Sequence, residues 1–349
     1  AFSIESTSLQ KDFIFFTSTG CMKKSGLDKF STNYSKIMAL KLKDDEKIAS
    51  VKLVDVEREE AFIKFTTELG MEFTLEEPVL ESADRNIASL ELITTSSGNR
   101  IIDAELTDVY NYRNFFVNIG KDGMVRTADS KDSKSSFTEV CTSSSRLLMF
   151  QDDGIVLSIP AFMIQNVGER GVEISKIFDG IDFRRIMKAV CIDDFSADKY
   201  FCFISAKGIV KKTALNEFQG DAMTSTACKF KTENDSLVGV ELAGNDYDLL
   251  IITKKGMSIL FSIDSVNTMG RIASGVTAIS LGEDDQVIYE LVAESITDKP
   301  GSIKMTSKKG LEAEMKLADF RRQNRAGKGR NICLIVFEDF IKDIKYKSR

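Results

Sequence analysis

No histidine occurs in the 349 residues. Its absence removes Ser-His and Cys-His nucleophile pairs and leaves no side chain whose ordinary pKa lies near neutrality. Six cysteines, at 21, 141, 191, 202, 228 and 333, include no Cys-x-x-Cys pair and have no histidine to complete a mixed zinc site. The expectation is therefore reduced, buried thiols in a cytosolic protein rather than a disulfide framework. Long apolar runs are lacking too. The longest, such as 332–337, fall far short of the roughly 20 residues that cross a bilayer, so no membrane contact is expected. The chain starts at Ala1 with neither a basic n-region nor an apolar h-region of signal-peptide length, and reads as a cut piece of something longer or a processed chain. With no nucleophile motif and no metal cluster, an enzyme is the least supported class, and no cofactor or metal is expected.

Self-similarity organises what is present. Seven hairpins centre on Gly20, Gly70, Gly123, Gly154, Gly208, Gly256 and Gly310, at spacings of 50, 53, 31, 54, 48 and 54 residues. A tight connection between antiparallel strands needs positive φ, which glycine supplies at little steric cost. Later parts of the unit recur as well. Leu27-Asp28-Lys29-Phe30, Leu215-Asn216-Glu217-Phe218 and Leu317-Ala318-Asp319-Phe320 stand at one offset, each placing two apolar anchors on a loop. A third strand is expected at 37–42 and 276–281, and a fourth, after an acidic turn, at 48–54 and 287–292. Three prolines, strand-forming residues and few convincing helical windows, the only helix expected being a short one at about 183–189, argue for an all-β chain.

Units of this kind stack radially, so the expected fold is a β-propeller of six, possibly seven, four-stranded blades in one domain. The approximate repeats are 11–57, 58–108, 109–143, 144–195, 196–245, 246–297 and 298–349. The 109–143 unit is short and reads as having lost its third strand, which favours six blades.

Charge is uneven along the chain. Residues 301–349 hold thirteen Lys or Arg and six Asp or Glu, in a chain whose net charge is -6. The positive excess centres on 320–329, Phe-Arg-Arg-Gln-Asn-Arg-Ala-Gly-Lys-Gly.

Lys207-Gly208-Ile209-Val210-Lys211-Lys212-Thr213-Ala214-Leu215-Asn216-Glu217-Phe218, Met269-Gly270-Arg271-Ile272-Ala273-Ser274-Gly275-Val276 and Leu281-Gly282-Glu283-Asp284-Asp285-Gln286-Val287-Ile288 resemble the third and fourth repeats of a known family. That family is the C-terminal domain found in the A subunits of bacterial DNA gyrase and topoisomerase IV, a β-pinwheel that bends DNA around its rim. The resemblance is best over residues 145–335. Gln323-Asn324-Arg325-Ala326-Gly327-Lys328-Gly329 is similar at five of seven positions to the family's box, Gln-Arg-Arg-Gly-Gly-Lys-Gly. The family's full box lies in its first repeat, whereas this copy follows the fifth-like hairpin, and two units precede the first-like one. DNA binding or bending is the expectation, rather than negative supercoiling. The resemblance also implies a cytoplasmic, nucleoid-associated protein. The partners it implies are duplex DNA, the N-terminal breakage-reunion part that precedes this domain in the family, and the B subunit. The family's catalytic tyrosine lies in that N-terminal part, so none of the seven tyrosines here takes its role.

A rim that holds duplex DNA needs cations at phosphate spacing and backbone that approaches closely, and such contacts are blind to sequence. Arg321, Arg322, Gln323, Arg325, Lys328 and Arg330 are the candidates, with Gly327 and Gly329 for close approach. Arg271 and the pairs Lys23 and Lys24, Lys211 and Lys212, Lys254 and Lys255, and Lys308 and Lys309 extend the track. The plainer reading of each lysine pair is a solvated hairpin end that discourages edge pairing. The acidic turns at 44–46 and 283–285 read as solvated turns rather than cation sites. Gly270 and Gly275 have the spacing of a phosphate loop but lack its Gly-Lys-Ser/Thr. A propeller that serves as a protein-interaction platform is the alternative function, supported by the acidic first 300 residues. A seven-bladed propeller of the chromosome-condensation-regulator type explains neither Gly270-Arg271 nor the box.

Overall fold

All seven hairpin glycines have positive φ, between 72° and 86°. In the computed structural model, which describes residues 10–333, 335–336 and 338–348, the hairpins seed seven antiparallel sheets rather than the favoured six. Leu334 and Phe337 of the apolar run lie outside the described residues. Each blade pairs its first hairpin strand with the second and, on the other side, with a third strand that closes the unit.

Blade 1 is Lys11–Thr17, Cys21–Gly26 and Ile48–Asp55. Blade 2 is Phe62–Thr67, Glu72–Glu76 and Ile101–Thr107. Blade 3 is Asn114–Ile119, Met124–Ala128 and Phe137–Thr142. Blade 4 is Arg146–Gln151, Ile155–Pro160 and Ile186–Ile192. Blade 5 is Tyr200–Ser205, Ile209–Ala214 and Leu237–Ala243. Blade 6 is Tyr247–Thr253, Met257–Ser262 and Val287–Glu294, and blade 7 is Ser302–Ser307, Glu312–Lys316 and Ile341–Lys347.

The fourth strand comes from the following unit. Leu90–Glu91 joins blade 1, Val172–Glu173 blade 3, Thr224–Thr226 blade 4, Val276–Thr277 blade 5 and Arg330–Asn331 blade 6, each beside the second hairpin strand. The expected third strand at 276–281 is thus a two-residue strand given to the neighbour, and 37–42 forms no strand. We call the segment that ends in a donated strand a strap. The short unit around Gly123 lacks the counterpart of 276–281, as its spacing implies, and keeps its closing strand, Phe137–Thr142; the missing strap leaves the deficit on blade 2, which has three strands. The helix Ala161–Ile164 covers that edge: the Phe162 and Phe73 rings lie 5.9 Å apart, and Asn166 Nδ2 donates to the Glu72 carbonyl at 3.1 Å. The helix expected at 183–189 is a three-residue 3-10 turn, Phe183–Arg185, that runs straight into a strand. No helix among the described residues is long and apolar enough to cross a membrane.

Apolar residues on both faces of each central strand build the core between blades. In blade 5, Phe201 and Phe203 face Leu148 and Phe150 of blade 4, while Cys202 and Ile204 face Leu249 and Ile251 of blade 6. The Leu-x-x-Phe loop seals the first of these seams, with Phe218 5.1 Å from Phe201 and 5.8 Å from Phe150 between ring centres. Cys141 and Cys191 are joined as a disulfide between blades 3 and 4, with Cα atoms 5.6 Å apart. This corrects the expectation of reduced thiols for that pair: Cys21, Cys202, Cys228 and Cys333 are free and buried.

The third strands carry a row of charge, Glu139, Lys188, Glu241 and Glu290, from blades 3 to 6. Lys188 Nζ donates to Glu241 at 2.9 Å. Glu290 lies against Gly239, where a Cβ would overlap its side chain. Burial, then the charge of Glu241, push the Glu290 carboxyl up to about 7. A carboxyl whose folded pKa exceeds its unfolded one holds its proton more tightly when folded. Its contribution to stability is full below the unfolded value and is lost as pH rises through about 7. Glu290→Gln should therefore be more stable than wild type at pH 8, by at most roughly 3 kcal/mol, with the difference vanishing near pH 4. Urea melts at the two pH values test this, and a difference independent of pH would refute it.

Candidate nucleic-acid interface

The box-like segment is the strap over blade 6. It begins beside Leu260, where Gln323 N donates to the Leu260 carbonyl at 2.7 Å, and ends near the hairpin tip, where Ile332 N donates to the Gly256 carbonyl at 2.9 Å. Midway, it touches the residues just after the strand donated to blade 5: Ala326 N donates to the Ala278 carbonyl at 2.8 Å, and Ser280 N donates to the Gly327 carbonyl at 2.9 Å. Gly329 has φ +76°, and a Cβ there would sit 2.5 Å from the Ser258 carbonyl oxygen. Gly275, at the same place in the strap over blade 5, has φ +79° and would meet the Val210 carbonyl oxygen at 2.6 Å. These glycines let a strap lie flat on the neighbouring blade, a need that precedes any contact with a ligand. Gly327 is exposed, and a Cβ there meets nothing closer than 3.4 Å.

Two of the candidate arginines are staples between straps. Arg325 Nη1 donates to the Thr277 carbonyl at 2.5 Å, on the strand given to blade 5. Arg271, four residues before Gly275 as Arg325 is before Gly329, sends Nη1 to Ser225 Oγ at 2.8 Å, on the strand given to blade 4. Arg322, with a side chain 57% exposed, pairs at 2.9 Å with the fully buried Asp248, whose carboxylate raises the guanidinium pKa. Gln323 Nε2 donates to the Ser258 carbonyl at 3.3 Å. Arg321, Lys328 and Arg330 are exposed and form no ion pair among the described residues.

The lysine pairs divide by position. Lys23 and Lys211, three residues after their glycines, are buried beneath straps rather than displayed on a rim. Lys211 Nζ donates to the Ala227 carbonyl at 2.5 Å and to the Arg271 carbonyl, and burial pushes it down to about 8. Lys23 Nζ donates to the Arg85 carbonyl at 2.5 Å, and burial lowers its pKa too. Lys212 is buried over the Tyr200 ring with Nζ 2.9 Å from Asn245 Oδ1, and Lys24 pairs with the buried Asp12 at 3.3 Å. These four ammonium groups hold the blades and straps. Lys254, Lys255, Lys308 and Lys309 stand instead before their glycines, at the hairpin tips of blades 6 and 7. Lys254 and Lys308 lie over one ring, Phe340, at 4.2 and 5.5 Å, and Lys255 Nζ donates to the Glu283 carbonyl. Asp285 in the acidic turn is buried rather than solvated and accepts from Lys255 N at 2.9 Å; Asp339 does the same for Lys309 N at 3.1 Å. These caps and the Arg staples carry no sequence signal beyond a charged residue in a loop.

Strap charge changes along the array. Residues 321–331 hold five cations and no carboxylate, whereas 81–91, the equivalent strap over blade 1, hold Glu81, Asp84 and Glu91 against Arg85. The strap over blade 5 has Arg271 alone, and Glu217 and Asp221 precede the strand given to blade 4. The strong positive field therefore sits over blade 6, beside the lysine-tipped ends of blades 6 and 7.

A family described as the DNA gyrase C-terminal domain, beta-propeller, matches residues 11–55, 199–243, 247–289 and 315–337. The chain is similar to the DNA gyrase A subunit of Haloquadratum walsbyi, 26% identical over 216 residues that make up 60% of this chain and 25% of that protein. It is similar to the DNA topoisomerase 4 A subunit of Bacillus subtilis, 28% identical over 187 residues, 52% of this chain and 23% of that protein. It is 33% identical to the DNA gyrase A subunit of Helicobacter pylori strain J99 over 147 residues, 42% of this chain and 17% of that protein. The chain thus spans about a quarter or less of the length of these relatives. Among solved structures, the C-terminal domain of DNA topoisomerase IV superposes with a TM-score of 0.61 at 24% identity, covering 69% of this chain and 79% of that one, which bears on the fold. The glycine-centred hairpins, the exchanged strands and these matches together make the chain similar, in sequence over these segments and in fold, to the C-terminal β-propeller domains of DNA gyrase and topoisomerase IV A subunits.

Proposed function

We propose that this chain is a non-catalytic DNA-binding domain, part of the A subunit of a type IIA topoisomerase or of a paralogue, which bends duplex DNA over blades 5 to 7. The observation that carries the reading is the strap over blade 6, where Arg321, Lys328 and Arg330 are exposed and form no ion pair among the described residues, and the Arg322 side chain is 57% exposed beside Asp248. The tip lysines of blades 6 and 7 extend the track. Its contacts are to phosphate, without base readout, and its natural neighbours are the breakage-reunion part of the same polypeptide and the B subunit, in the nucleoid. Acidic straps over blades 1 and 4 repel phosphate, so DNA runs over one sector of the rim rather than around all of it. They are also the one feature that favours the interaction-platform reading, for that side of the molecule.

Gel shifts with a duplex of about 40 base pairs or more test the proposal. Binding at about 50 mM salt with log affinity falling linearly in log salt, at a slope near -3 to -5, is expected for about four neutralised phosphates. No binding at about 50 mM salt, or affinity indifferent to salt, would refute it.

A further inference from the structure

Among the described residues, strand exchange leaves one acceptor edge and one donor-like segment unpaired. In blades 1, 4, 5 and 6 the hairpin-glycine carbonyl accepts from residues just after the donated strand: Leu92 at Gly20, Ala227 at Gly154, Ala278 at Gly208 and Ile332 at Gly256, at 2.8–3.0 Å. A Cβ on those glycines would strike the donated segment within 3 Å. At Gly70 and Gly310 it would meet nothing within 4 Å. Blade 2, which holds Gly70, has its edge covered by the helix Ala161–Ile164. Blade 7, which holds Gly310, has no such cover among the described residues: Glu312–Lys316 pairs on one side only, and Leu311 is 48% exposed.

The spare donor is at the other end of the array. Three of the five donated strands start eleven residues before the third strand of their own unit, Leu90 before Ile101, Val276 before Val287 and Arg330 before Ile341; the other two start thirteen and fourteen before theirs. The same count back from Ile48 reaches Ile37, and Ile37-Met38-Ala39-Leu40 matches the pattern of Val276-Thr277-Ala278-Ile279. It forms no strand; Met38 is 55% exposed, and Leu40 is folded onto Phe13 and Phe15 of its own blade.

We propose that the Leu311–Glu312 edge of blade 7 accepts the Ile37–Met38 strand of a second copy of this chain, joining molecules head to tail. The register follows from the other blades: the residue after the hairpin glycine faces the second donated residue, as Cys21 faces Glu91 and Met257 faces Asn331. Leu311 therefore faces Met38, and Glu312 faces Ile37. Pairing within one chain would cost no association entropy, yet the structure leaves donor and acceptor apart. The terminal faces differ in chemistry. Blade 1 is covered by its own Leu27, Phe30 and Leu40, whereas blade 7 ends in the ion pairs of Lys304 with Glu312 and Lys347 with Glu314. A heterologous contact of this kind continues from copy to copy unless the rotation closes a ring. One short strand makes it weak and concentration dependent.

The test mixes separately purified Met38→Cys and Leu311→Cys chains under mild oxidation, with sedimentation of the wild type and of Met38→Pro alongside. Expected are a disulfide-linked pair formed only in the mixture, and wild-type association up to about 1 mM that the proline variant loses at least tenfold. Either of two results overturns the proposal. One is a monomeric internal disulfide in the Met38→Cys/Leu311→Cys double variant, which places the donor on its own chain. The other is a wild type that stays monomeric, with no cross-link in the mixture. Both positions are exposed, so the substitutions leave the core untouched.

Discussion

Changing Arg321, Lys328 and Arg330 together to Glu should lower the affinity for duplex DNA at about 50 mM salt by at least ~100-fold and flatten the salt slope by about 3. These are the strap cations with no ion pair among the described residues, so each lost phosphate contact returns about one counterion. The reversal should leave stability nearly unchanged, because exposed charges away from caps and cores contribute within about 0.5 kcal/mol. Lys211→Met gives the opposite pattern. Its ammonium is sealed beneath a strap and bonded to two carbonyls. Its loss should cost stability, by about 1–3 kcal/mol for the carbonyls left unpaired, with the salt slope unchanged. Titrations by fluorescence anisotropy at four salt concentrations separate the two. A triple variant that binds like wild type would make the strap structural only.

Gly275→Ala should destabilise the chain by about 3 kcal/mol or more, and Gly310→Ala by only about 1 kcal/mol. Both glycines have similar positive φ, +79° and +84°, so the backbone penalty is shared. Only at Gly275 does the new methyl group meet main chain, 2.6 Å from the Val210 carbonyl oxygen and 2.8 Å from Ile209 Cγ2. Relief there requires lifting Val276–Thr277 off blade 5, which also pulls Arg271 from Ser225. Urea midpoints of the two variants read the difference, and equal losses would show that strap contact contributes little to stability.

The hairpins, the all-β class and the Leu-x-x-Phe anchors were legible because each rests on local chemistry: a glycine at positive φ, or two apolar residues at fixed spacing in a turn. Blade composition was not. The donated strands are two or three residues long, too short for a period-2 pattern, and their pairing partners lie far off in the chain, 47 residues between Val172 and Val125 and 72 between Arg330 and Ser258. The same exchange hid the meaning of the short interval around Gly123, whose missing segment belongs to the preceding blade. The box was legible as charge and glycine, yet only part of it faces outward. Arg325 and Arg271 read as cations from sequence and act as staples, and Lys23 and Lys211 read as rim lysines and are buried beneath straps. The sign of a side chain can be read from sequence, but the direction it points depends on which strand lies over it.

The central claim is that DNA lies on the basic strap over blade 6 and not on its acidic counterpart over blade 1. Asn324 and Asp84 occupy equivalent places, each six residues before the first residue of a donated strand, Arg330 or Leu90, and both are exposed. A photoreactive group attached through Asn324→Cys or Asp84→Cys, with the four native free thiols buried, reports contact directly. The account predicts cross-linking to a duplex from position 324, lost as salt rises, and little from position 84. Equal cross-linking from both positions, or cross-linking from position 84 alone, would contradict it.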